Sequence, residues 1–361
     1  MGSKRMTDST RGRGTTLNTP NRFAKLHLEP LELELPPDEE RPAVKTRYYR
    51  DTSRSILAKN DSPDIPFTYS INPYRGCEHG CIYCYARPSH EYLGFSAGLD
   101  FESQIMIKLE APRLLERTFR RANWVPQMVA FSGNTDCYQP VERELKLTRE
   151  CLKVFLKYRN PVEIVTKNAL IIRDIDILME MARQNTVHVM ISVTTLDNEL
   201  VRKMEPRTSS PAKRLDTIAQ LAAAGIPVGI NAAPIIPGLT DAEIPAILRE
   251  GASHGATTAG YLLVRLPGAV KPLFLDWINR NFPDRANKII NRIKDTHDGL
   301  LSDPRFGARM TGEGEIARSI QALFDVHLAK YNLQAEWCGL RADGFKRPGV
   351  TQMSLFENGT V

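Results

Sequence analysis

Cysteine is scarce in this sequence, six among 361 residues, too few to staple so long a chain into a disulfide scaffold. No uninterrupted apolar run reaches membrane-spanning length. The longest uncharged stretch, 221–240, is punctuated by Gly225, Pro227, Asn231, Pro234 and Pro237; it reads as a helix end, a strand and a loop, so no membrane span is expected. Nothing apolar follows Met1, Gly2, Ser3, Lys4 and Arg5, so no secretory signal is expected and the reducing cytoplasm is the expected location. Charge of one sign is in small excess, net +6, which permits contact with an acidic polymer without requiring it. Internal repeats are absent too. What is there is an ordinary globular composition, 42% hydrophobic and 25% charged, long enough for one large domain or about two average ones.

The first stretch, 1–60, mixes Thr, Asn, Arg, Pro and short acidic runs without an apolar period, and reads as an arm over the surface, partly disordered. From there short β-rich runs alternate with helical patterns. Strands are expected at 67–71, 128–131, 162–166, 187–193, 227–231 and 261–265, with a helix over 216–224 stopped by Gly225. Strands alternating with helices imply βα units and a parallel sheet. Six of them suit an α/β fold of the partial (β/α)6 TIM-like kind, with chemistry on the loops after the strands. Four segments are expected: the N-terminal arm, 1–60; the barrel, 61–270; a helical C-terminal extension, 271–345; and a flexible tail, 346–361.

The chemistry-bearing loop follows the first strand, where Cys77, Cys81 and Cys84 stand with Gly76 and Gly80, which permit the required backbone turns. Gaps of three and two residues let one tight loop aim three thiolates at three corners of a cube. Soft thiolates are the usual ligands of iron–sulfur clusters, and three of them leave one iron of a four-iron cluster open to a small molecule. Structural zinc with His79 or His90 as fourth ligand is the alternative, but Cys137, Cys151 and Cys338 are too scattered to supply a second zinc knuckle. The same scatter argues against an auxiliary cluster.

The cysteine spacing, with Tyr83 just before the third cysteine, resembles the radical S-adenosylmethionine superfamily. The strings 62–66 and 72–87 resemble its spore photoproduct lyase-like branch, often labelled DNA repair photolyases, over about 62–241. The resemblance implies a [4Fe-4S] cluster on Cys77, Cys81 and Cys84, with S-adenosyl-L-methionine chelating the open iron. An electron donor such as flavodoxin or ferredoxin would drive its cleavage to a 5′-deoxyadenosyl radical. It also implies a lyase-like action on a DNA lesion or modified base presented flipped or single-stranded. RNA, a peptide or a small molecule as substrate, and a non-catalytic cluster-bearing adaptor on DNA, stay open.

Tyr83 is expected near the adenine. Ser132, Gly133 and Asn134 occupy the place of a Gly-Gly-Glu motif that receives the methionyl amino group in relatives, and Asp136 is the nearest carboxylate. Lys167 and Ser192 close consecutive strands and are expected to hold the cosubstrate, while Arg207 and 231–241 are weaker candidates at the same mouth. Cys137 is a candidate hydrogen donor, though it falls on the other side of the Thr-Asp pair from the family's donor. Finally, Gln352, Met353, Ser354, Leu355 and Phe356 resemble the motif by which repair and replication proteins dock on the bacterial sliding clamp, Met353 standing for the usual Leu.

Overall fold

A computed structural model describes residues 12–22 and 44–347. Its strands are β1 (Arg47–Arg50), β2 (Leu57–Lys59), β3 (Tyr69–Ile71), β4 (Tyr74–Arg75), β5 (Gln104–Ile107), β6 (Val129–Phe131), β7 (Val162–Thr166), β8 (Val187–Ser192), β9 (Val228–Ile235) and β10 (Thr258–Leu263). The main sheet has the order β10-β9-β8-β7-β6-β3-β2. β3 and β6 to β10 are parallel neighbours in chain order. β10 and β3 do not close on each other, so the fold is α/β, an open partial TIM-like barrel.

The six expected strands are all present, that at 162–166 with the same bounds and the other five shifted at one or both ends. β9 runs on past Asn231 to Ile235, because Ile235 still accepts from Val264 N at 2.9 Å although Pro234 can donate nothing to the ladder. Side chains alternate along the parallel strands: Ile71, Val129, Phe131, Val162, Ile164, Val187, Val189 and Ile230 are fully buried in one core on the face the helices cover, while Glu163, Val165, Ser192 and Asn231 at the alternate positions line a cavity. Burying each such side chain contributes about 1.5–3 kcal/mol. The crossover helices start where the sequence can cap them. Asp197 accepts from Glu199 N and Leu200 N before Asn198–Met204, and Ser210 from Lys213 N before Pro211–Ala223. Gly225, at φ +73°, ends the latter turn as expected.

Two features lie outside the barrel pattern. β2 adds antiparallel to β3, and β1 joins β5 and β4 in a second sheet, so part of the expected arm is built into the fold. The helices Val270–Asn281 and Ala286–Asp295 bring Phe274, Trp277, Ile278, Ile289 and Ile293 into a second core with Cys81, Ile82, Tyr83, Leu200 and Met204. The C-terminal extension therefore buttresses the cysteine loop. Among the described residues no helix is long and apolar enough to cross a membrane.

Candidate active site

The cysteine loop is held from several sides. Cys77 N donates to Phe101 O at 2.9 Å and Ile82 N to Met204 O at 3.0 Å, tying the loop backbone to the helices Leu99–Ser103 and Asn198–Met204. Gly76 and Gly80 take φ +78° and +67°, a left-handed backbone that glycine adopts without cost. The fully buried Arg87 donates to Cys81 O at 3.0 Å and Glu102 Oε1 at 2.5 Å, while Glu102 Oε2 accepts from Gly14 N at 2.8 Å. A Cβ on Gly14 would lie 1.6 Å from Gly80 O. The segment 12–22 is thus a strap laid against the loop between two of its cysteines, and no apolar period in the sequence signals it.

Cys77, Cys81 and Cys84 line a cavity of about 370 Å³ at the C-terminal ends of the barrel strands, within the range of about 300–1,000 Å³ typical of ligand sites. All three are free thiols. Among the described residues no three His, Cys, Asp or Glu side chains gather about a single ion. His79, the candidate zinc ligand, is committed instead: its Nδ1 lies 3.4 Å from Asp136 Oδ2 and its Nε2 3.1 Å from Asn168 Nδ2. Three separate soft donors on one wall of a ligand-sized cavity fit a multi-iron cluster.

Behind the cavity sits a fully buried carboxylate, Glu205. It is bonded by Arg214 Nη2 and the Tyr83 hydroxyl and accepts from Thr194 Oγ1 at 2.6 Å. Lys167 Nζ stands 3.3 Å away. Burial alone would raise the Glu205 pKa, but Arg214 first and Lys167 second, with the hydroxyls of Thr194 and Tyr83, hold it well below the carboxylate range. Lys167 Nζ also donates to Thr194 Oγ1 at 3.0 Å and Ala233 O at 2.9 Å, and lies 5.7 Å from the Tyr83 ring centre. Two cations face one anion here, so the group carries one net positive charge toward the cavity. The sequence points to the Glu205-Pro206-Arg207 stretch for Arg207 and not for Glu205, and Arg214 is not marked at all.

The remaining expected residues divide. Tyr83, Ser132, Gly133, Asn134, Asp136, Lys167 and Ser192 all line the cavity. Asp136 is already well supplied with donors: Oδ1 accepts from Tyr138 N and Thr166 Oγ1, each at 2.8 Å, and Oδ2 from Lys167 N at 2.9 Å. It knits the loop after β6 to the end of β7. Ser132, strained at φ +79°, accepts from Cys137 N at 2.9 Å, while Asn134 N donates to Asn72 Oδ1 at 2.9 Å. Gly133 has no room for a Cβ, which would fall 2.7 Å from Ser70 Cβ.

Two candidates are corrected. Cys137 does not reach the cavity: it is fully buried in the barrel core with Ile71, Phe131, Tyr138 and Cys151, and burial, followed by nearby Asp136, pushes its thiol well up. The hydrogen bonds that turn the loop at Ser132 point that side chain inward. Arg207 braces the strap, donating to Gly12 O at 3.1 Å and pairing with Glu78 at 3.5 Å, rather than facing the mouth. The clamp-like residues 352–356 lie outside the described residues.

A partial parallel barrel whose mouth gathers three free thiols and a ligand-sized cavity defines an enzyme built around a bound cluster and cosubstrate. Residues 71–251 match the model of the radical SAM superfamily. The chain belongs to that superfamily, whose enzymes use a [4Fe-4S] cluster and S-adenosyl-L-methionine. An uncharacterised protein of Mycobacterium tuberculosis is 36% identical over 226 residues, covering 62% of this chain and 66% of that protein. The chain thus spans just under two thirds of that relative's length. An uncharacterised protein of Methanocaldococcus jannaschii is 31% identical over 224 residues, 62% of this chain and 80% of that one. Among solved structures, spore photoproduct lyase complexed with dinucleoside spore photoproduct superposes with a TM-score of 0.57 at 16% identity, covering 80% of this chain and 82% of that one. At that identity the likeness speaks for the fold.

Proposed function

We propose that Cys77, Cys81 and Cys84 hold the [4Fe-4S] cluster and that the cavity beside them binds S-adenosyl-L-methionine and a nucleobase, a DNA lesion or modified base, in a lyase-like repair reaction. The observation that carries it is the single cavity shared by the three thiols and by the strand-end residues Lys167, Ser192 and Asn231. The bound pair supplies, on one-electron reduction by a donor such as flavodoxin or ferredoxin, a 5′-deoxyadenosyl radical.

The chain's own residues do the rest. The net positive charge left by Lys167, Arg214 and Glu205 attracts the methionyl carboxylate, with Lys167 the cavity-facing member. Tyr83, fixed by its bond to Glu205, keeps a flat apolar face beside the adenine. Hydroxyl, carbonyl and side-chain amide oxygens of Ser132, Gly133 and Asn134 accept from the ammonium that other members meet with a carboxylate, and Ser192 at the end of β8 is within the same wall for the ribose. Ile65, Phe67, Leu262, Leu263 and Met310 in the cavity lining exclude water, which would otherwise quench reactive species.

The DNA part of the reading is supported by the barrel shared with spore photoproduct lyase, by the strings 62–66 and 72–87, and by the clamp-like 352–356. A tether to the bacterial sliding clamp would raise the enzyme's concentration at DNA. Anaerobic reconstitution followed by mass spectrometry of nucleosides from ultraviolet-treated DNA tests it. A cosubstrate- and reductant-dependent change in a DNA nucleoside is expected; 5′-deoxyadenosine formation with DNA untouched and a peptide or RNA altered would overturn it.

A further inference from the structure

The cavity lining carries a second cation that nothing so far uses. Arg265 follows β10 and lines the cavity with Tyr85, Met310 and Asp64. Its guanidinium donates to Met310 Sδ at 3.0 Å and lies 5.5 Å from the Tyr85 ring centre. A thioether is a weak acceptor for a charged donor. The carboxylate on the same side, Asp64, is taken in a two-pronged bond by Arg309, at 2.5 and 2.6 Å. Among the described residues no carboxylate forms an ion pair with Arg265. Two guanidiniums therefore share one carboxylate, leaving one uncompensated positive charge. Burial and the neighbouring Arg309 both disfavour that charge, the situation an incoming anion relieves.

Tyr85 makes the site more specific than a bare cation. Its hydroxyl donates to Gly133 O at 2.8 Å, which anchors the ring beside Cys84, and the residue is 48% exposed. A fixed, open aromatic ring beside a guanidinium offers a stacking face and a planar anion-binding fork together. A nucleotide presents that same pair of features, a base and its phosphate; a peptide carboxylate brings the anion without the flat ring.

We propose that Arg265, set against Tyr85, is a substrate-binding residue that takes a phosphate of the nucleotide entering the cavity and so fixes how deep its base can reach. This rests on the nucleic-acid reading above and names the contact that enforces it. It deepens that reading by making the backbone phosphate, and not only the base, a determinant of binding.

The test uses the anaerobic cluster-loaded enzyme with S-adenosyl-L-methionine and two probes, thymidylyl-(3′→5′)-thymidine and its uncharged methylphosphonate analogue, with an acidic tetrapeptide as third ligand. The wild type should prefer the charged dinucleotide over the neutral one by about tenfold or more, and Arg265→Met should erase that preference. Arg265→Lys, which keeps the charge but not the fork, should retain part of it. A second measurement needs no variant: phenylglyoxal labelling of Arg265, read by mass spectrometry, should be slowed by the charged dinucleotide and not by the analogue. A wild-type preference that persists in Arg265→Met, or labelling unaffected by the charged probe, would overturn the role of Arg265 while leaving the nucleic-acid reading standing. Binding of the tetrapeptide and of neither dinucleotide would overturn both.

Discussion

Replacing Glu205 by Gln should destabilise the protein by about 3–5 kcal/mol, the cost of leaving a buried ion-pair partner uncompensated. The side chains of Glu205 and Arg214 are both wholly inaccessible, and Lys167, 15% exposed, faces the same carboxylate. With the charge gone, Arg214 keeps its bonds to Ser209 O at 2.8 Å and Ser192 O at 2.9 Å but has no counter-charge, and Lys167 loses its own. Domain stabilities are about 5–15 kcal/mol, so the loss would be a large share of the whole. Urea unfolding of wild type, Glu205→Gln, Arg214→Met and the double variant measures it, with the double variant less destabilised than the sum of the singles. The pH dependence supplies a sign. A carboxyl whose folded pKa is depressed contributes stability that is present above its unfolded value, about 4.3, and is lost as pH falls through the folded value. The gap between wild type and Glu205→Gln should therefore be full at neutral pH and shrink on acidification below about 4. A single-variant cost below about 1 kcal/mol, or strict additivity in the double, would refute the reasoning.

Lys167→Ala should weaken S-adenosyl-L-methionine binding roughly 10–150-fold, the equivalent of about 1.5–3 kcal/mol for a charge-assisted bond, with iron content retained; unchanged affinity in calorimetry would remove Lys167 from the site. Cys137→Ala should form 5′-deoxyadenosine and convert substrate as the wild type does, because its thiol lies in the core; loss of conversion with 5′-deoxyadenosine intact would restore it as a hydrogen donor. Gly14→Val should lower stability by about 1–3 kcal/mol and speed loss of iron in air, since its Cβ would lie 1.6 Å from Gly80 O; an unchanged Tm would mean the strap is not held where it is seen.

The parallel strands were legible because each is a short β-rich run with apolar residues at alternate positions, closed by turn or helical sequence. The cysteine loop was legible because its function needs a fixed spacing along the chain. The charges behind it were not. Glu205 stands in a Glu-Pro-Arg string expected at the mouth for its arginine, with nothing in the sequence to show that the glutamate is the buried member, and Arg214 sits among Lys213 and Asp216 on a helix whose buried face only the fold reveals. Lys167 was found from its place at a strand end, but not its neutralising neighbours, which come from residues far apart in sequence. Cys137 misled because a loop's sequence does not say which way a side chain turns; the strained Ser132 decides that. The strap at 12–22 has no period to read, since it is held by Gly14 and Arg13 contacts to Glu102 rather than by an apolar face.

The central claim is that Cys77, Cys81 and Cys84 hold a cluster that cleaves S-adenosyl-L-methionine. Its most direct measurement is iron content and 5′-deoxyadenosine yield of the anaerobically reconstituted, reduced protein beside Cys77→Ala, Cys81→Ala and Cys84→Ala. About four irons per chain and steady 5′-deoxyadenosine formation are expected of the wild type, with 5′-deoxyadenosine abolished and iron sharply reduced in every variant. Full iron and undiminished cleavage in Cys81→Ala would contradict the account.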